Sequence, residues 1–101
     1  MEKESSNKII TSLLMVGQEP VMAASHEVRG NQRRIGRRHA LEVYNKADFE
    51  VYFGGEDVTP DTGIPILPNE RRMFLVGEPD AVYLVSGRAA ETPVVIAEYC
   101  S

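Results

Sequence analysis

Two histidines, one cysteine, three neighbouring carboxylates and a run of arginines are the residues with which this chain of 101 residues can do chemistry. His26 and His39 lie thirteen positions apart, and neither has a serine or cysteine nucleophile beside it in a recognisable motif, so a catalytic dyad is not composed. Cys100 has Glu98 nearby rather than the cationic shell that lowers a thiol's pKa, and it reads as an inert thiol, exposed or held at an interface. With two histidines it makes a poor zinc set, and as the single cysteine it has no partner for an internal disulfide. Glu56, Asp57 and Asp61 can offer oxygens to a calcium ion, but their spacing fits no established calcium loop. Capping of turns by Asp57 and Asp61 is the simpler use. The expectation is a protein that is not an enzyme and carries no metal and no cofactor.

The arginines point to a partner. Arg29, Arg33, Arg34, Arg37 and Arg38 fall within ten positions, and against Glu27 they give residues 27–38 a charge of +4; the remainder carries −8 to reach the total of −4. A concentrated guanidinium patch suits phosphates. Against nucleic acid stand the absence of any aromatic residue within the cluster to stack bases and an isoelectric point near 5.1. Salt bridges to a partner's carboxylates, or a solvated loop, fit better, and a molecule with a basic segment on an acidic body can also pair with copies of itself.

The elements that must position these residues are strands. Residues 1–7 are polar and read as a flexible terminus, and residues 8–101 as a single β domain with a basic loop at 26–38 and a long structured loop at 54–70. Strands are predicted at 8–16 (KIITSLLMV), 20–25 and 39–45, where Leu41 and Val43 share one face and Glu42 and Tyr44 the other. A short turn at 46–48 then leads into 49–53 as the returning strand of a hairpin, which places Tyr44 and Tyr52 on one face, where they can pack beneath a neighbouring subunit. Further strands follow at 71–76, 81–86 and 93–99. Short strands separated by turn signals define an all-β fold, a small β-sandwich or barrel of seven to eight short antiparallel strands. In the long loop, Gly54, Gly55, Asp57, Thr59, Gly63, Pro65 and Pro68 all have turn or backbone roles, so the segment reads as architecture.

A hydrophobic fraction of 43% without a long apolar run gives no transmembrane helix, and the first residues lack the basic and apolar regions of a signal peptide, so no membrane association is expected.

From Arg37 onward the pattern resembles a family of small tailed-bacteriophage virion proteins. The shared features are Arg37-Arg38, a strand from Leu41 ending in Asn45, the Tyr-x-Gly-Gly-x-Asp-Val-Thr turn at 52–59, Gly63-Ile64-Pro65, Pro68-Asn69-Glu70 and the acidic turn 77–80. The resemblance covers about two-thirds of the chain and departs from the family in the extended basic segment of the N-terminal third. It implies a non-enzymatic β-sandwich made in the host cytoplasm and assembled into the virion as a symmetric homo-oligomer. Most simply this is a capsid decoration or stabilising protein on the head, bound to the major capsid protein; the alternative is a head-to-tail connector or tail accessory protein bound to portal or tail proteins. A reading of another class is a carbohydrate- or cell-surface-binding module that uses Tyr52, Phe53 and Tyr83.

Overall fold

The computed structural model of the protein describes residues 8–24, 38–77 and 80–100. They form eight strands: β1 (Lys8–Val16), β2 (Val21–Met22), β3 (Arg38–Asn45), β4 (Val51–Gly54), β5 (Ile64–Ile66), β6 (Arg71–Phe74), β7 (Tyr83–Ser86) and β8 (Thr92–Cys100). Two four-stranded antiparallel sheets result, ordered β1-β8-β3-β6 and β2-β7-β4-β5. Only β4 and β5 are sequence neighbours within one sheet; every other connection crosses to the opposite sheet. That order is the double-sheet jelly-roll wiring, in which two four-stranded layers close over one core.

Alternation sets which residues enter that core. Leu14 and Val16 of β1, Leu41 and Val43 of β3, and Val94 and Ile96 of β8 face Val51, Ile66 and Leu84 of the other sheet, all of them buried. At one margin the layers are joined by Phe53 of β4 and Phe74 of β6, whose rings meet edge to face with centroids 4.9 Å apart.

The hairpin expected from residues 39–53 does not form. β3 pairs with β8 and β6, whereas β4 pairs with β5 and β7, so the two strands lie in different sheets. Asn45 is the cause. Its side chain is fully buried, with Nδ2 donating to the carbonyls of Phe49 and Ile66 (both 2.9 Å) and Oδ1 accepting from the Ala47 amide (2.9 Å). Its backbone N–H donates to Glu70 O at 3.0 Å and its carbonyl accepts from Asn69 N at 2.8 Å. A tight corner closed by one amide therefore replaces a β-turn, and the chain leaves one sheet for the other. Tyr44 and Tyr52, which alternate with the buried Val43 and Val51, consequently sit on the outer faces of opposite sheets and cannot pack beneath the same neighbour.

The segment 54–70 contains a strand as well as turns, since residues 64–66 pair with β4. The strand β5 ends in the turn 67–70, closed by Glu70 N to Leu67 O at 3.0 Å, with Pro68 at its second position and Asn69 at φ 65° in its third. That is the residue order a type II turn demands. Replacing Asn45 by Ala strands two buried carbonyls and one amide, and a loss of roughly 3 kcal/mol or more is expected in denaturant unfolding; a loss under about 1 kcal/mol would refute the role of this corner.

Candidate interaction site

The predicted basic patch divides. Arg29, Arg33, Arg34 and Arg37 lie outside the described residues, and Arg38 does not stand with a solvent-facing loop. It is 6% exposed, and its Nη1 donates to Glu98 Oε2 at 2.7 Å, with Glu98 itself fully buried. Nη2 reaches the carbonyls of Gly77 (2.8 Å) and Asp80 (2.5 Å). The inward turn comes from a β-bulge: Arg38 pairs with Cys100 and Ala40 with Tyr99, so β3 advances two residues while β8 advances one. Leu41, Val43 and Asn45 put odd positions inside, and the extra residue at His39 reverses that parity so that an even position enters the core. Arg38 thus ties β3 and β8 to the backbone at Gly77 and Asp80, which corrects its assignment to a partner interface.

Cys100 is also interior rather than exposed, 1% accessible and packed with Ala24 against Ile10 and Met22. Strand β8 carries Cys100 on the same inward face as Val94, Ile96 and Glu98, opposite its partner Arg38 in β3.

The loop between β4 and β5 is built as architecture, by means that differ in part from expectation. Val58 is buried as a plug, and a Cβ on Gly54 would lie 2.7 Å from Val58 Cγ2. At Gly63 a Cβ would lie 2.7 Å from Tyr52 Cβ and 2.8 Å from the same methyl. Both glycines are therefore required by packing, because the loop lies directly on its own strand. The backbone turns at 55–58 and 59–63 are closed by Val58 N to Gly55 O (3.1 Å) and Gly63 N to Thr59 O (2.8 Å). Capping belongs to threonine hydroxyls, since Thr62 Oγ1 accepts from Thr59 N (3.0 Å) and Thr59 Oγ1 accepts from Thr62 N (3.2 Å). Asp57 and Asp61, expected as the caps, stand exposed.

What the tertiary structure does present is the outer face of the β1-β8-β3-β6 sheet. Register places Ile9, Leu13 and Met15 of β1 beside Tyr99, Val95 and Pro93 of β8, with Glu42 and Tyr44 of β3 and Arg71 and Met73 of β6 beyond. Ile9, Leu13, Met15 and Met73 are exposed. A polar seam crosses this apolar surface. The Tyr99 hydroxyl donates to Glu42 Oε1 at 2.8 Å, which raises its pKa above the ordinary phenol range, while Arg71 lies 3.8 Å from Glu42 Oε2 and over the Tyr44 ring. At the sheet margin the Leu67 amide donates to Glu70 at 2.7 Å and holds that carboxyl below its usual range, assisted by Arg72. Arg72 in turn covers the Phe53 ring, which packs on the core, so Phe53 is not available to a sugar as the carbohydrate reading requires.

Among the described residues expected to touch a partner, Tyr44 alone lies on this face; Tyr52 is on the opposite one, beside Val85 and Pro65. The β1 residues went unselected because their types resemble core residues. The available signal was that Ile9, Leu13 and Met15 alternate with Ile10, Leu14 and Val16, giving apolar residues on both faces of one strand. Among the described residues, no group of three His, Cys, Asp or Glu side chains is placed to hold a metal ion, and no helix is long and apolar enough to cross a membrane.

Comparison of the chain with family models, with curated proteins and with solved structures finds no match.

Arg38→Met removes the cation that bonds the buried Glu98 carboxylate at 2.7 Å and is expected to lower unfolding stability by ~3–5 kcal/mol, against under about 0.5 kcal/mol for a solvent-facing arginine. Gly54→Ala is expected to cost about 1–3 kcal/mol through overpacking against Val58. In a double-mutant cycle, Val58→Ala should remove most of that added cost, and strict additivity would refute the plug.

Proposed function

We propose that this chain is a non-enzymatic structural protein of a tailed-bacteriophage particle, a capsid decoration or stabilising protein present in many copies on the head. The observation that carries the reading is the use made of residues 52–70. Gly54, Val58, Thr59, Thr62, Gly63 and the Pro68-Asn69 turn each have a folding role, so the sequence pattern that resembles phage virion proteins is spent on a scaffold. The jelly-roll strand order supports the same class, because that wiring recurs in viral capsid domains; this is an analogy of fold, and the site has to carry the rest. Two parts of the chain serve assembly in this reading. One is the apolar outer face of the β1-β8-β3-β6 sheet; besides it, the sequence offers the basic residues Arg29, Arg33, Arg34 and Arg37, which lie outside the described residues.

The protein then acts by contact alone. Assembly in symmetric copies adds stability by mass action to a small core, and the basic segment meets carboxylates of the major capsid protein. Cryo-electron microscopy of intact particles is expected to show the sandwich on the capsid lattice, and replacement of the four remaining arginines by Ala is expected to weaken binding to undecorated capsids at least about tenfold at low salt. Density at the neck or along the tail would move the protein to a connector or accessory role. Absence from the particle would overturn the virion reading.

A further inference from the structure

Among the described residues the sandwich has four sheet edges, and three of them are guarded. β2 is two residues long, β5 is three residues long with Pro65 at its centre, and β6 carries Arg71 and Arg72. Shortness, proline and charge are the devices by which proteins prevent strand pairing between molecules. β1, the remaining terminal strand, is neither short nor interrupted by proline, and its one charged residue, Lys8, is its first. It runs nine residues, and Ile9–Val16 contains neither a proline nor a charged residue. Its outward side chains are among the most exposed apolar groups of the protein, Ile9 at 61%, Leu13 at 54% and Met15 at 41%.

We infer that β1 is a self-association edge, pairing antiparallel with β1 of a second copy about a twofold axis to join two β1-β8-β3-β6 sheets into one of eight strands. A second copy fits because the strand is complementary to itself. Antiparallel pairing must keep odd residues opposite odd ones if the faces are to match, and a twofold centred on the strand sets Ile9 against Met15, Thr11 against Leu13 and Ile10 against Leu14. Apolar groups then meet on both faces, and no like charges are opposed within Ile9–Val16 although each chain carries a net charge of −4. The outer apolar face becomes continuous across the join.

Area sets the strength. Nine residues at ~3.4 Å make an edge of about 30 Å, and with a layer about 10 Å deep the contact covers roughly 300 Å² per copy, well below the ~800 Å² of a standard stable interface. The pairing is therefore weak in free solution, with Kd between roughly 1 μM and 1 mM, and gains when copies are held side by side. It is a property of the isolated chain and does not rest on the virion reading.

Sedimentation equilibrium of the full chain up to about 1 mM, the upper end of that range, tests it. The expected result is a monomer–dimer equilibrium that Leu13→Lys weakens at least about tenfold, since each copy then presents a charge on the shared edge. Because that variant can fail to fold, a second arm uses Thr11→Cys/Leu13→Cys under mild oxidation. It is expected to give a covalent dimer faster than Arg71→Cys on the opposite edge. A chain that sediments as a monomer throughout, a dimer indifferent to Leu13→Lys in a folded variant, or cross-linking no faster than the Arg71→Cys control overturns the inference.

Discussion

A chain that alternates between two sheets has to make each crossing without leaving backbone groups unpaired in the interior, and in this protein that constraint falls hardest on Asn45. The residue ends β3 with its side chain inside the core. One carboxamide supplies two donors and an acceptor at the corner, to Phe49 O, Ile66 O and Ala47 N, so the turn, the start of β4 and the end of β5 are held from a single point. Its own peptide groups bond to Asn69 and Glu70, which fixes where the chain returns to the first sheet as β6. A buried polar side chain with all its bonds made adds rigidity and specifies one arrangement. The β4–β5 loop and the Phe53–Phe74 contact depend on that arrangement.

The other end of β3 is organised by a charge. Arg38 enters the core because of the bulge at His39, and it is stable there because Glu98 of β8 and the carbonyls of Gly77 and Asp80 receive its guanidinium. Forming such a pair offsets the cost of taking two charges out of water, so its net contribution to stability is smaller than the cost of removing one partner. Strand β8 is central to both effects, pairing with β1 on one side and β3 on the other. With its inner face occupied by Val94, Ile96, Glu98 and Cys100, its outer face is left to Pro93, Val95 and Tyr99, and the make-up of that outer surface is a consequence of the core.

The core and the outer surface thus draw on different residues. The residues with reactive types are largely absorbed into structure: Cys100 and Glu98 are interior, and Glu42 is paired with Tyr99 and Arg71. Ile9, Leu13, Met15 and Met73 face outward from one sheet, the first three of them along its β1 edge. Monomeric proteins limit such areas, and their presence beside three guarded edges gives the surface a direction.

The amino-acid sequence by itself determined the strands, because period-2 alternation and turn residues are local. The alternation of Leu41 and Val43 with Glu42 and Tyr44, and of Val51 with Tyr52, appears in the structure as buried against half-buried. The run Lys8–Val16 is a strand over the whole of its predicted length, Gly54 and Gly63 sit where a side chain would collide with Val58 or Tyr52, and Pro68 sits where a turn needs a fixed φ. Pairing was decided only by the tertiary structure. Two adjacent strands joined by a short connection satisfy hairpin rules, and nothing within residues 39–53 reveals that Asn45 bonds to Ile66, twenty-one residues away. Nor does a run of arginines reveal that one of its members turns inward, since an added residue at a bulge inverts facing without altering composition. Burial is a property of what comes to lie opposite, and for Arg38, Cys100 and the exposed face of β1 that partner, or the lack of one, is set by strands distant in sequence.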